Sequence, residues 1–197
     1  KTDRLASGQT IHITSQRPFQ LTEADDIEAG TLLSGATGTL LEEKDGRLKV
    51  ELKGWQPNDS SMVLYQEEGK RILMAVINEE AQNEALVYDE VQQDTASSED
   101  GLVDESEDEK WRSLTLTAWI DSTQINLDLA ELWDYSAKEY LQACTACHSA
   151  PRETDYTANQ WIGTMNSMKH YTTLNDDEYN MILTYLQNHA RDFRADE

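Results

Sequence analysis

The sequence predicts an α+β protein, with a small all-β part followed by a small all-α part. Three observations carry this expectation. Short stretches with a two-residue apolar period follow one another as far as Ile120. From Leu127 the apolar period becomes that of helices. Between the last strands lies Asp94–Glu109, with 8 acidic side chains, no basic one, and only Leu102 and Val103 as large apolar residues. Such a stretch repels itself and has little to bury, so it reads as an acidic insertion loop rather than a linker. The expected division is a β domain over 1–121, carrying the loop at 94–109, and a second domain over 122–197.

The elements follow in order. Leu48, Val50 and Leu52 alternate with Lys49, Glu51 and Lys53, the pattern of a half-buried strand. Thr39–Glu42 precedes it across Lys44-Asp45-Gly46-Arg47, and Asp-Gly is a hairpin turn signal. A second hairpin is predicted from Met62–Tyr65 to Arg71–Ile77, turning at Glu68-Gly69-Lys70. Ala85–Tyr88 is a further short strand, and Leu114, Leu116, Ala118 and Ile120 alternate with Ser113, Thr115, Thr117 and Trp119. Several short strands at this spacing indicate an SH3-like barrel or a sandwich. Beyond Leu127, Ser136-Ala137-Lys138-Glu139 reads as a capping box, so a helix is expected to start there and run into Cys144. A second helix is expected over about 158–169. A third begins at Asn175, with Asp176, Asp177 and Glu178 near its positive end and an apolar stripe of Tyr179, Ile182, Leu183 and Leu186.

At the end of the first of these helices stands Cys144-Thr145-Ala146-Cys147-His148. Cys-x-x-Cys-His is the attachment motif of a c-type haem. Two thiols about one helical turn apart add to the two vinyl groups, and the adjacent His reaches the iron from the same side. Both cysteines of the chain are used. A structural zinc site needs four ligands, usually from two Cys pairs, and no second pair exists. A thioredoxin-like redox pair belongs beside a βαβ pattern, which is missing. A buried Cys pair beside a chance His is the remaining alternative. His148 is therefore the expected proximal ligand, with its other ring nitrogen on a carbonyl in Ser149–Arg152. The candidates for the distal position are Met165, Met168, His170, Met181 and His189. Met165 and Met168 share one helix face, and either could be the ligand with the other as pocket wall. His170 is their main rival, and His189 is expected to face water near a helix end.

The formal net charge of −22 over 197 residues excludes nucleic acid as a natural partner and disfavours an anionic membrane surface. A basic protein surface fits better. No run of 18 apolar residues exists, so nothing here spans a membrane as a helix. Thioether attachment takes place outside the cytoplasm, which makes the periplasm the expected compartment. The chain opens at Lys1 with neither an initiator Met nor a basic-then-apolar leader, so it reads as part of something longer.

Trp161-x-x-Thr164-x-x-x-Met168, followed by Leu174, Glu178, Ile182 and Tyr185-Leu186, resembles a pattern common to short monohaem c cytochromes. That resemblance implies Met168 as the distal ligand, ahead of Met165 and then His170. It also implies a haem pocket that includes Trp161, Met165, Tyr185 and Leu186, in a small all-α class I-like domain. More narrowly, Cys144–His148, Tyr156–Trp161 and Tyr185–Asp192 resemble the C-terminal domain of the pentahaem cytochromes of the TorC type. The likeness is strong over about residues 127–192 and weaker over the β part. It implies one covalent haem c and a periplasmic electron carrier that is not itself an enzyme. It implies a molybdoenzyme acceptor, trimethylamine N-oxide reductase, and as donor an upstream tetrahaem domain or quinol-oxidising cytochrome. The full protein would be held at the inner membrane, with no membrane contact by this segment. The four further Cys-x-x-Cys-His motifs of that family are missing, which implies a piece cut after the tetrahaem part and takes quinol oxidation away from it. The competing class is a haem sensor or peroxidase-like enzyme with an open distal site. A docking module, with the β part recognising a partner, is compatible with electron transfer.

Overall fold

The computed structural model describes residues 5–24, 27–60, 62–89, 110–146 and 148–193. Ten strands are joined in one antiparallel sheet: β1 (Thr10–Ile13), β2 (Arg17–Phe19), β3 (Gly30–Leu32), β4 (Thr37–Lys44), β5 (Arg47–Pro57), β6 (Val63–Glu67), β7 (Lys70–Ile77), β8 (Leu86–Tyr88), β9 (Trp111–Asp121) and β10 (Ile125–Asn126). The path runs β10-β1-β4-β5-β6-β7-β3-β2, with β9 laid along β5 and β8 on β9. The sheet curls into a half-barrel, and one isolated bridge, Gln20 to Trp119, ties the β2 side to β9. The acidic stretch 94–109 lies outside the described residues.

Side-chain period explains the long central pair. Along β5 and β9 the register sets Leu48 against Ile120, Val50 against Ala118 and Leu52 against Leu116. All six are buried. A slip of one residue would turn every one of them to the other face, so the register is fixed by the core. Asp45 and Gly46 both have positive φ, 50° and 80°, and close the β4–β5 hairpin between Lys44 and Arg47. That pair of dihedral signs is the turn whose twist matches the strands, and Asp-Gly supplies it at little steric cost. Phe19, Leu32, Leu40 and Leu64 join the β5 and β9 side chains in one core.

Three helices longer than a single turn follow, among the described residues: α1 (Leu129–Cys144), α2 (Ala158–Met168) and α3 (Asp176–Asn188). The start of α1 differs from the expected one. Asp128 caps it, accepting from the Ala130 and Glu131 amides at 2.9 and 3.2 Å. Ser136 lies inside the helix, buried, and donates to the Leu132 carbonyl at 2.8 Å. A Ser-x-x-Glu spacing is a cap only where the preceding residues leave the helix, and Leu129–Tyr135 do not. The other two starts carry reciprocal capping boxes, Thr157 with Gln160 and Asn175 with Glu178. No described helix is long and apolar enough to cross a membrane.

The expected fold class is overturned. A separate small all-α class I-like cytochrome c domain is not formed. The molecule is mostly sheet, and the helices are short, 16, 11 and 13 residues. They complete their core on the sheet: Ile72 of β7 is fully buried in the same cluster as Tyr140, Trp161, Ile182 and Leu186.

Polar contacts lock the same seam. The Asp177 carboxylate, in the first turn of α3, accepts from Ser15 Oγ at 2.6 Å, the Gln16 amide at 2.5 Å and Ser34 Oγ at 2.7 Å. Asn159 on α2 accepts from the Arg71 amide and donates to the Gly69 carbonyl, both at 2.8 Å. Gly35, at φ +89°, lets Thr184 come close: a Cβ there would stand 2.7 Å from Thr184 Cγ2.

Burial alone would raise the Asp177 carboxyl. The hydrogen bonds from Ser15, Gln16 and Ser34, with Arg17 nearby, outweigh it and hold the group below the usual carboxylate range. A carboxyl depressed on folding adds stability above its unfolded value, and that stability is lost as pH falls through the lower folded value. We therefore expect Asp177→Ala to cost about 1–3 kcal/mol at pH 7 in urea unfolding, the range for losing hydrogen bonds to a charged group at a partly exposed site. The difference between variant and wild type should shrink below about pH 4, where the unfolded carboxyl protonates. An equal difference at pH 7 and pH 3 would refute the assignment.

Candidate functional site

The end of α1, the loop that follows it and one face of α2 enclose a cavity of about 360 Å³. Each wall has a local cause. Along α1, Leu132, Ser136 and Tyr140 are buried at a four-residue spacing, and the next step along that face is Cys144, which lies half-buried on the cavity wall. Along α2, Ala158, Trp161 and Met165 are buried on one stripe. Trp161 and Met165 face the cavity, joined by Thr164 and Met168. His148 and Pro151 line it from the loop.

The donor chemistry converges. His148 Nδ1 lies 2.9 Å from the Ser149 carbonyl, which makes that nitrogen the protonated one and leaves Nε2 with its lone pair for a metal. The carbonyl falls inside the expected segment. Two thioethers share the cavity in different states: Met165 is 5% exposed and already packed in the helical core, and Met168 is 38% exposed. Burial pushes the Cys144 thiol up from its ordinary value. A redox-active cysteine needs the opposite shift, so this environment does not favour a reactive thiolate. Cys147 lies outside the described residues.

The remaining candidates are elsewhere. His170 is exposed in the 3₁₀ turn after α2, its ring 3.8 Å from that of Tyr171, and it does not line the cavity. Met181 is buried and faces a different cavity, with Thr14, Leu132 and Tyr135. His189 is half-buried rather than facing water: Nδ1 meets the Tyr185 carbonyl at 2.8 Å, and its ring lies against Trp133 and Tyr185. Tyr185 and Leu186 are buried in the helical core behind the cavity and are not part of its wall. Two aromatic wall residues, Tyr140 and Tyr171, were not singled out from sequence. Tyr140 could have been found from its four-residue distance to Cys144. Tyr171 lies in an irregular turn and carried no periodic signal.

The residues present fit a covalently held haem: an apolar cleft of aromatic and thioether groups, a cysteine on its wall, and an imidazole presenting a free Nε2. Comparison with known proteins gives the family. The family model "TorC third cytochrome c domain" matches residues 5–125. The cytochrome c-type protein TorC of Escherichia coli strain K12 is 32% identical over 187 residues, 94% of this chain and 45% of that protein. The cytochrome c-type protein TorY of Haemophilus influenzae is 35% identical over 146 residues, 74% of this chain and 37% of its own length. TorY of Escherichia coli O157:H7 is 26% identical over 175 residues, 89% and 44% of the two chains. The chain thus spans less than half the length of these relatives. No solved structure matches it.

Proposed function

This chain belongs to the TorC third cytochrome c domain family, and from that premise we propose that it is the electron-delivering segment of a periplasmic c-type cytochrome. Its acceptor is a molybdoenzyme, trimethylamine N-oxide reductase, and it receives electrons from an upstream tetrahaem domain or a quinol-oxidising cytochrome. It carries one haem c on Cys144 and Cys147, and it moves electrons without transforming a substrate. The haem unit corresponds to 122–197 and the β unit to 1–121, joined through the seam at Asp177 and Ile72.

One observation carries the reading: Cys144, His148, Trp161, Met165 and Met168 stand around a single cavity. The haem supplies an iron that cycles between two oxidation states. The chain supplies everything else. Cys144 and Cys147 would hold the group, His148 Nε2 would ligate its iron, and Trp161 and Met165 would exclude water. Met168 would be the second ligand. Met165 is already accounted for by the core, whereas Met168 is an exposed thioether on the cavity wall that nothing else explains. A sensor or peroxidase-like site needs an open distal position, and two thioethers in the cavity work against it.

Covalent haem on the two cysteines should survive acid–acetone extraction, leaving the mass of one haem on the chain. A haem-free mass would end this reading.

Methionine sulfur favours reduced iron, so Met168→Ala should remove the weak far-red ferric band and lower the potential strongly. Met165→Ala should keep the band and lose stability instead, by about 2–5 kcal/mol for a truncated core Met. The reverse pattern would make Met165 the ligand, and an effect confined to His170→Ala would make the site bis-His.

A chain of net charge −22 should meet its acceptor through a basic surface. The second-order rate of acceptor reduction should therefore fall as salt rises toward a Debye length of ~8 Å. A version lacking 94–109 should lose on-rate while keeping its potential. Salt independence would leave the charge as a matter of solubility.

A further inference from the structure

The segment after His148 is held in an unusual way. Each of the three helices sends one aromatic side chain to it by a polar tip. Tyr140 of α1 donates its hydroxyl to the Pro151 carbonyl at 2.7 Å. Trp161 of α2 donates Nε1–H to the Glu153 carbonyl at 2.9 Å. Tyr185 of α3 donates its hydroxyl to the Glu153 carboxylate at 2.8 Å. All three side chains are buried.

We propose that Tyr140, Trp161 and Tyr185 form a three-point clamp on Pro151–Glu153 and act as positioning residues for the His148 imidazole. The inference rests on the haem reading above.

The argument is geometric. His148 is exposed, and its ring is oriented by the Ser149 carbonyl, 2.9 Å from Nδ1. Where that carbonyl points depends on where the next residues are fixed. Pro151 has one restrained dihedral and no amide hydrogen to anchor it. The clamp supplies the anchors from outside the loop. Helix-borne donors transmit the arrangement of α1, α2 and α3 to the loop. Ring contacts keep the clamp stiff: Trp161 packs edge-on against Tyr140 at 6.1 Å and against Tyr156 at 4.9 Å. Inside the loop, Arg152 binds Asp155 through its guanidinium and its amide, both at 2.8 Å. Burial also raises the Tyr140 hydroxyl, which keeps it a donor throughout the working pH range. An outer partner that orients a ligating imidazole tunes the metal as well as the fold.

Tyr→Phe keeps each ring and removes only the hydrogen bond. The test compares Tyr140→Phe, Tyr185→Phe and the double variant with wild type, all carrying haem. Ser136→Ala is the control, since it removes a buried bond inside α1 that does not reach the loop. Amide hydrogen exchange over 149–155 should accelerate about tenfold for each hydroxyl removed, the factor for a bond of ordinary strength. The reduction potential should shift, and the far-red thioether band should persist because Met168 is untouched. Ser136→Ala should move neither exchange nor potential. If the double variant does not fold, the single variants give the same comparison. Unchanged exchange over 149–155, or faster exchange with an unmoved potential, would overturn the clamp. A wild-type chain without covalent haem would overturn the haem reading itself.

Discussion

Three helices of 16, 11 and 13 residues cannot enclose a core alone, and where they find the missing surface decides the rest of the structure. They find it on β7. Ile72 enters their cluster with no exposure, and α2 and α3 pack against the same strand. Polar groups then bridge where apolar area ends. Asp177 takes three donors from the loops around β1 and β3, and Gln187 donates to the Arg71 and Ala158 carbonyls at 3.2 and 3.1 Å. The seam is thus apolar at its centre and satisfied at its edges, as a buried interface must be.

Local physics explains which parts of this were legible in the sequence. The hairpins at Asp45-Gly46 and Glu68-Gly69 were readable because their turns and alternation lie within a few residues. β1, β2 and β3 are three or four residues long and were missed, since so short a stretch shows no period. The start of α1 was misplaced because a capping box is a pattern of two residues, and Ser136 satisfied it inside a helix. The separate all-α domain failed for a different reason. The stripe on α3 was read correctly as apolar, but a stripe does not say what covers it. Part of that cover is Ile72, more than a hundred residues away in the chain.

The site was legible to the extent that chemistry was written in adjacent residues. Cys144 and His148 name themselves, Met165 comes from the helix face it shares with Met168, and Trp161 comes only from the resemblance to short monohaem cytochromes. Tyr185 and Leu186 are pocket residues only in what the resemblance to short monohaem cytochromes implies. Structure places them one layer behind, where Tyr185 reaches the cavity loop through Glu153. Sequence spacing cannot separate a wall from its support, because both are buried on one face.

That layering gives the cavity two unequal sides. On the His148 side, donors from three helices converge on the following loop, and little is free to move. On the Met168 side, α2 ends and the chain passes into an exposed turn, with Tyr171 at 75% exposure beside the half-covered thioether. Under the proposed ligation, the held side supplies a fixed imidazole and the open side a soft, adaptable sulfur. Met168 is 38% exposed, and under that ligation the ring would cover it. Covering of the Met168 side chain and haem attachment would then be coupled through the same buried apolar area.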